Sequence, residues 1–423
     1  MRRPIEVERT TATRAGVAIV LGVLVLLPFG RLAELPVAIG VLVTLVLAVR
    51  GRLWAPGDDA QRLVVLLFLA YAVPIALSGF ASVAADKTWS TALASLRHLG
   101  FALFAVHVLR RPQAQAAVVP AVAAVTLLWI LDAWVQYLTG HSIGGAPEAE
   151  RLSGIFGADN IKLGPVLAAL SPFVLLAARA RFGRSGLLLA FLLVLVPVLL
   201  SGSRAAWLSY ALVSVVVAWH ETGGSLRRFA PLLVGVGLAF VMAAAGMRFD
   251  SSGFQSRIER SLLAVEGTPQ ALDEAAAGRL SIWRTAIDMI RAHPLTGVGA
   301  RGFRYDYPEH AAPGDRFVVE GSREGASHAH QIVLEVLSET GIVGLLGWIV
   351  GAVAAVRAWR RADRAARARA YAPALALVAM CFPLNTHLAF YSAWWGLFFW
   401  WLLALYCAAL AAPREPSVRP LPA

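Results

Sequence analysis

Residues Ser327–Val356, SHAHQIVLEVLSETGIVGLLGWIVGAVAAV, join a His-x-His pair to a long apolar run. From Gln331 to Val356 that run can cross a hydrocarbon core of about 30 Å as a helix. Two titratable imidazoles, His328 and His330, therefore stand directly in front of a membrane span. Runs of this kind recur along all 423 residues, which are 58% hydrophobic and only 15% charged, a composition outside the range of soluble domains. The chain reads as an all-α polytopic membrane protein. Its net charge of +12 carries no nucleic-acid reading, because the basic residues sit between apolar runs and not on one face. Cys381 and Cys407 both lie inside apolar runs and read as small buried side chains.

About twelve spans are expected. Nine precede residue 248: Ala15–Phe29, Leu32–Val49, Leu63–Phe80, Thr91–Leu109, Ala116–Leu138, Leu163–Ala178, Gly186–Leu200, Arg204–Trp219 and Phe229–Met247. Three follow residue 330: Gln331–Val356, Tyr371–Leu388 and Ser392–Ala412. With the N-terminus inside, the inner segments hold 22 Lys and Arg and the short outer loops only five, Arg31, Lys87, Arg151, Lys162 and Arg204. The positive-inside rule then places both termini in the cytoplasm. The arginine-rich start lacks a small-residue cleavage site after the first apolar run and reads as an uncleaved helix.

One outer connection, Arg248 to His330, is about 80 residues long, far above ordinary loop length, and so is expected to be folded or functional. The chain thereby divides into 1–247, a large loop 248–330, and 331–423 with the last three helices and a cytoplasmic tail. Within the loop, Leu280, Trp283, Ile287 and Ile290 recur at helical spacing, with Arg284, Asp288 and Arg291 on the other side. This predicts an amphipathic helix on the outer bilayer surface, stopped by Pro294 and followed by a turn through Gly299.

Charges at the outer boundary are the informative ones, since they are costly there and tend to face a cavity. They are Arg97 with His98, Asp132, the group Arg151, Asp159 and Lys162, then Arg204, Arg279, Arg284, His328 and His330. Ser203 can cap the helix that Arg204 begins, and a helix N-terminus beside a guanidinium suits phosphate oxygens. The plainer account is a capped helix whose arginine snorkels to the interface. Arg97 can equally sit in an ion pair, with Asp132 as partner, and Lys162 and Arg151 can simply anchor the interface. Asn385, Thr386 and His387 can contact an acceptor or merely end a helix. The histidine pair would suit zinc only if His310, Glu309 or Glu324 supplied a third ligand; no HExxH, Asp-x-Asp or cysteine cluster supports this, so no metal is expected. A single neutral imidazole, held uncharged by the positive end of the helix dipole, can act as a general base.

His330-Gln331, nine residues, then Gly341-Ile-Val-Gly344 resembles the signature of bacterial O-antigen ligases. Arg204-Ala-Ala-Trp-Leu208 after Gly202-Ser203 is similar to that family's Arg-x-x-x-Leu motif. Gly278-Arg279, Trp283 and His293-Pro-Leu-Thr-Gly-Val-Gly299 resemble the large-loop motif shared with O-antigen polymerases and protein O-oligosaccharyltransferases. Arg151-Leu-Ser-Gly-Ile-Phe156 is similar to a further motif, with Asp159-Asn160 where Pro-Asn is usual. The resemblance covers residues 150–345 and implies a GT-C-like fold with the large loop in the periplasm of an inner-membrane protein. It implies transfer of O-antigen from undecaprenyl pyrophosphate to a sugar hydroxyl of lipid A-core, without metal or other cofactor. His330 would be the base and Arg204 and Arg279 the pyrophosphate ligands, joined by Arg97, Lys162, Arg151 and Arg284. His328, Asn385 and His387 would be acceptor contacts, and the partners would be the two lipid-borne glycans and membrane lipids, with no nucleic acid.

Overall fold

The computed structural model describes residues 2–54, 58–146, 151–158, 160–247, 258–319, 321–386 and 388–411. Among them are no strands, only one isolated bridge between Ser142 and Gly145. Before the large loop run α1 (Arg2–Leu26), α2 (Glu34–Val49), α3 (Asp59–Gly79), α4 (Ala85–Leu109), α5 (Pro112–Thr139), α6 (Leu163–Leu200), α7 (Arg204–Glu221) and α8 (Leu226–Met247). The loop contributes α9 (Pro269–Ala275), α10 (Arg279–Ala292) and α11 (Phe303–His310). After it come α12 (Ile332–Arg361), α13 (Arg364–Met380) and α14 (Ala393–Leu410). Side-chain caps start several of them: Asp58 accepts from Gln61 N–H, Ser203 from Ala206 N–H and Ser392 from Trp395 N–H.

Eight helical stretches among the described residues are long and apolar enough to cross a membrane. Two of them, 13–49 and 163–200, run through glycine breaks at Gly30 and Gly183, both at positive φ. At 38 residues α6 would be about 57 Å long if straight, nearly twice a bilayer core. Gly183 lets it fold back instead: a Cβ on Gly164 would lie 2.0 Å from Ser201 Oγ, so the two ends of α6 touch. Each of the twelve expected segments contains helix, although α13 ends at Met380, short of the expected Leu388. The count of eight is lower because each broken pair forms one stretch, α13 has only 17 residues and α7 carries Arg204, His220 and Glu221.

α14 is apolar all round and is buried all round, the expected fate of such a helix. Trp400 and Trp401 are almost fully buried, and Trp401 Nε1 donates to Val20 O at 2.8 Å. Small residues bring α12 close to α3, where a Cβ on Gly347 would lie 2.4 Å from Ala70 O. The connections gather at two ends of the bundle. At one, Arg110 pairs with Asp58 at 3.0 Å, Arg179 with Glu221 at 2.7 Å, and Arg369 donates to the end of α14. At the other, Val83 N–H donates to Val298 O, Leu152 N–H to Leu200 O and Trp394 Nε1 to Leu27 O. The large loop belongs to this second end.

The loop is seated by an exchange of backbone hydrogen bonds. α12 is broken at Gly341 (φ 64°, ψ −161°), so Ile332–Thr340 is a short helix of its own. In an unbroken helix Ile342 N–H would donate to Ser338 O and Val343 N–H to Glu339 O. Here the turn after α10 is inserted between them. Ile342 N–H donates to Pro294 O (2.9 Å) and Val343 N–H to Leu295 O (3.2 Å), while Ser338 O and Glu339 O accept from Val298 N–H and Gly299 N–H (both 2.9 Å). Two lost bonds become four. The fit needs glycine on both sides: a Cβ on Gly341 would lie 2.2 Å from Leu295 O, and one on Gly297 2.4 Å from Glu339 C. The same turn is tied to the α3–α4 connection, with Thr88 Oγ1 donating to Ala300 O at 3.0 Å and Ser82 Oγ to Val298 O at 3.2 Å.

Gly341→Ala combines a backbone clash with a conformation that L-residues avoid, so it is expected to cost about 2 kcal/mol or more. In detergent its melting temperature should fall by several degrees. Gly235→Ala, in α8 with open space around the new Cβ, should leave it unchanged or slightly raised. Equal melting temperatures for the two variants would show that the seat at Gly341 is dispensable.

Candidate active site

His330 lies two residues before the short helix Ile332–Thr340, and Gln331 is that helix's cap, its Oε1 accepting from Leu334 N–H at 2.6 Å. His330 itself has φ +53°, an uncommon conformation for a residue with a side chain. Two contacts hold it there. Trp283 Nε1 on α10 donates to Ala329 O (3.0 Å), and His330 Nδ1 is 2.8 Å from Thr386 O in the α13–α14 connection. A carbonyl only accepts, so Nδ1 carries the proton and Nε2 keeps its lone pair. Burial pushes the His330 pKa down to about 4; the Thr386 hydrogen bond opposes this, and the charge of Arg279 adds to it. The ring is thus neutral at pH 7 because of its surroundings, and a helix dipole is not needed to explain it. His328 lies beside it, with ring centroids 3.9 Å apart and the rings tilted by 45°, and its Nδ1 is 3.0 Å from Ser327 Oγ.

Arg204 opens α7 as the sequence predicts, and its Nη1 donates to Ser261 Oγ (3.0 Å) and to the carbonyl of Ala275. Both partners are neutral. Arg279 opens α10 and is half-buried; burial and then the neighbouring charge of Arg204 push its pKa down to about 10. Its side chain has no ion pair or hydrogen bond among the described residues. Arg260 lies close enough to add to the positive field at Arg204. The site therefore brings three arginines, with no carboxylate partner among the described residues, beside one neutral imidazole. Like charges with no counter-ion favour an anion between them.

The other candidates divide. Lys162 reaches the same end, where its ammonium lies 4.5 Å over the Trp394 ring and burial lowers its pKa. Arg151 is exposed, although Leu152 N–H ties its segment to the end of α6 beside Arg204. The rest of that motif is structural: Gln136 Oε1 accepts from Ser153 N–H and Gly154 N–H, and Phe156 packs on Trp129. Arg97 is not paired with Asp132. Its Nε lies 3.0 Å from Glu34 Oε2, while Asp132 Oδ1 accepts from Ile143 N–H at 2.8 Å. Arg284 is exposed on α10. Asn385 is buried and its Nδ2 donates to Met380 O at 3.0 Å, which ends α13 and leaves the amide engaged. Asp159 and His387 lie outside the described residues.

α10 also carries an apolar row beyond the expected stripe. Ile282, Thr285, Ala286 and Met289 are buried, against Phe303, Tyr307, Val298 and Ala329, whereas Ile287 of the expected stripe is 40% exposed. A second apolar row runs along the helix, and the loop's own small core covers that one. His310 joins neither His328 nor His330; it meets Asp306 on its own helix.

Residues 188–349 match the family model described as O-antigen ligase (Wzy_C). Over this stretch the chain is similar to the O-antigen ligase family. No curated protein matches it. The matched region runs from the second half of α6 into α12 and includes Arg204, Arg279, His330 and Gly341. That similarity supports a glycosyltransferase-like enzyme of lipopolysaccharide or glycan assembly, with a membrane setting and a lipid-linked glycan donor. Arg260 stands outside every motif and was brought to this site by the fold. Thr386, read from the sequence as an acceptor contact or a helix end, acts instead through its backbone carbonyl, which has no side-chain signature.

The depressed pKa of His330 is directly measurable. In imidazole-labelled protein followed by NMR, its ring should stay neutral from pH 8 down to about pH 4. Arg279→Gln removes a positive neighbour, favours the imidazolium, and should move the titration upward toward the ordinary value near 6.5. An unchanged midpoint in that variant would mean that Arg279 exerts no field on the ring.

Proposed function

We propose that the protein is an O-antigen ligase with twelve spans, both termini cytoplasmic and the large loop at the periplasmic face of the inner membrane. The donor is polysaccharide on undecaprenyl pyrophosphate and the acceptor a sugar hydroxyl of lipid A-core. The observation that carries this reading is the half-buried pair Arg204 and Arg279, without acidic partners among the described residues, beside a histidine whose Nε2 lone pair is free of the Thr386 contact. Arg204 and Arg279 bind the diphosphate of the donor and neutralise the charge that grows on it as it leaves. His330 Nε2 takes the proton of the acceptor hydroxyl, whose oxygen forms the new bond to the anomeric carbon. The old carbon–oxygen bond breaks with its electron pair on undecaprenyl diphosphate. One base and no opposed carboxylate pair favour a single displacement with inversion. The diphosphate supplies the driving force, so this chemistry requires no metal.

Donor binding also tunes the base. Negative charge on the diphosphate offsets Arg279, so the proton affinity of His330 rises when the donor is in place. The acid limb of kcat/KM, which reports the free enzyme, should therefore lie near pH 4, and that of kcat at higher pH. Coincident limbs would remove this coupling.

Reconstituted transfer tests the assignment. His330→Ala should lower the rate by about 10²–10⁴-fold while protein level and lipid-linked donor stay intact. Arg204→Lys keeps the charge and loses the guanidinium fork, and a loss of about 10²-fold is expected. Full activity in Arg204→Lys would argue against bidentate phosphate contact. Lipid A-core, a free glycan end and a pilin-like protein, offered together as acceptors, separate a ligase from a polymerase and from a protein O-oligosaccharyltransferase. Preferred transfer to either of the last two would overturn the acceptor named here. Donor movement across the bilayer without transfer would instead mark a flippase.

A further inference from the structure

A second cluster of titratable groups lies in the large loop, outside the arginine–histidine group. His293 is the residue that ends α10, and Asp306 and His310 stand four apart on one face of α11. Asp306 Oδ2 is 3.1 Å from His310 Nε2 and 4.0 Å from His293 Nε2, and one ligand-type atom from each residue lies within 4.8 Å of the others. Tetrahedral zinc with bonds of about 2.0–2.1 Å holds its ligand atoms about 3.3 Å apart, so small side-chain movements would close the set. Asp306 is only 3% exposed, yet its Oδ2 receives no hydrogen bond of acceptable geometry among the described residues. No arginine or lysine pairs with it among them, and Glu309 adds further negative charge nearby. A buried carboxylate in that setting is stabilised by a cation, either a protonated His310 or a metal ion shared with it.

We propose that His293, Asp306 and His310 form a zinc-type divalent metal site. His293, 38% exposed, gives the ion a route from solvent, and water completes the coordination. Arg279 and His293 lie at opposite ends of α10, roughly 20 Å apart along its axis, so the ion takes no part in the transfer chemistry. Its role is structural. The site bridges α10 to α11, the two helices that flank the turn seated at Gly341, and metal binding would lock that turn closed.

The test uses full-length protein in detergent, made without a polyhistidine tag and stripped of metal. Titration with Co²⁺ should give visible absorption bands of a tetrahedral ion that saturate at one equivalent, and Zn²⁺ should displace it and raise the melting temperature. Both signals should survive His330→Ala and vanish in the His293→Ala/His310→Ala double variant. Should the double variant fail to fold, Asp306→Asn keeps the side-chain volume and is expected to weaken binding at least tenfold. Absence of both signals in the unaltered protein would leave the cluster as a carboxylate–imidazolium contact and overturn the proposal. Undiminished binding in the double variant or in Asp306→Asn would overturn it equally, by placing the ion elsewhere.

Discussion

Four backbone hydrogen bonds at Gly341 decide how the rest of this protein is arranged. A transmembrane helix cannot leave amides and carbonyls bare in an apolar setting, where each unsatisfied group costs several kcal/mol. α12 breaks its own ladder and survives because the turn Pro294–Gly299 fills the gap from outside. The loop thereby becomes part of the helix it precedes. α10 enters that turn and must follow its direction, so Arg279 at the far end of α10 is positioned by a contact fourteen residues away. Trp283, one turn into α10, then reaches across to the backbone next to His330.

This arrangement ties the position of the histidine to that of the glycine. The nine residues Ile332–Thr340 form a rigid helical spacer between Gln331, its cap, and the break. One residue more or fewer would rotate His330 by about 100° around that helix and separate its ring from Thr386 and from Arg279. The short helix, the turn and α10 close a ring of contacts. Inside it, a neutral imidazole is kept neutral by burial and by the arginine that would hold the donor.

The helical elements were largely legible in the sequence. Apolar runs, arginine-rich inner connections, the Ser203 cap and the Pro294 stop each act locally, so each could be read locally. The reading failed where partners were chosen over distance. Arg97 had two carboxylates within reach in principle, and only packing of α2 against α4 selects Glu34 over Asp132. α10 carries two apolar rows, and only the presence of Phe303 and Tyr307 decides which one is buried. Asn385 had two readings, an acceptor contact or a helix end, and its bond to Met380 O at the end of α13 matches the second.

By itself, then, the sequence determined the class of the protein, the places where helices start and stop, and the residues able to do chemistry. These follow from hydropathy, capping and charge, which act over a few residues. The tertiary structure decided which of those residues meet. It joined Arg204, Arg279 and His330, recruited Thr386 and Arg260, and moved His310 to a different cluster. It did so because hydrogen bonds lost at a glycine break must be regained from a distant segment, and pattern along the chain does not name that segment.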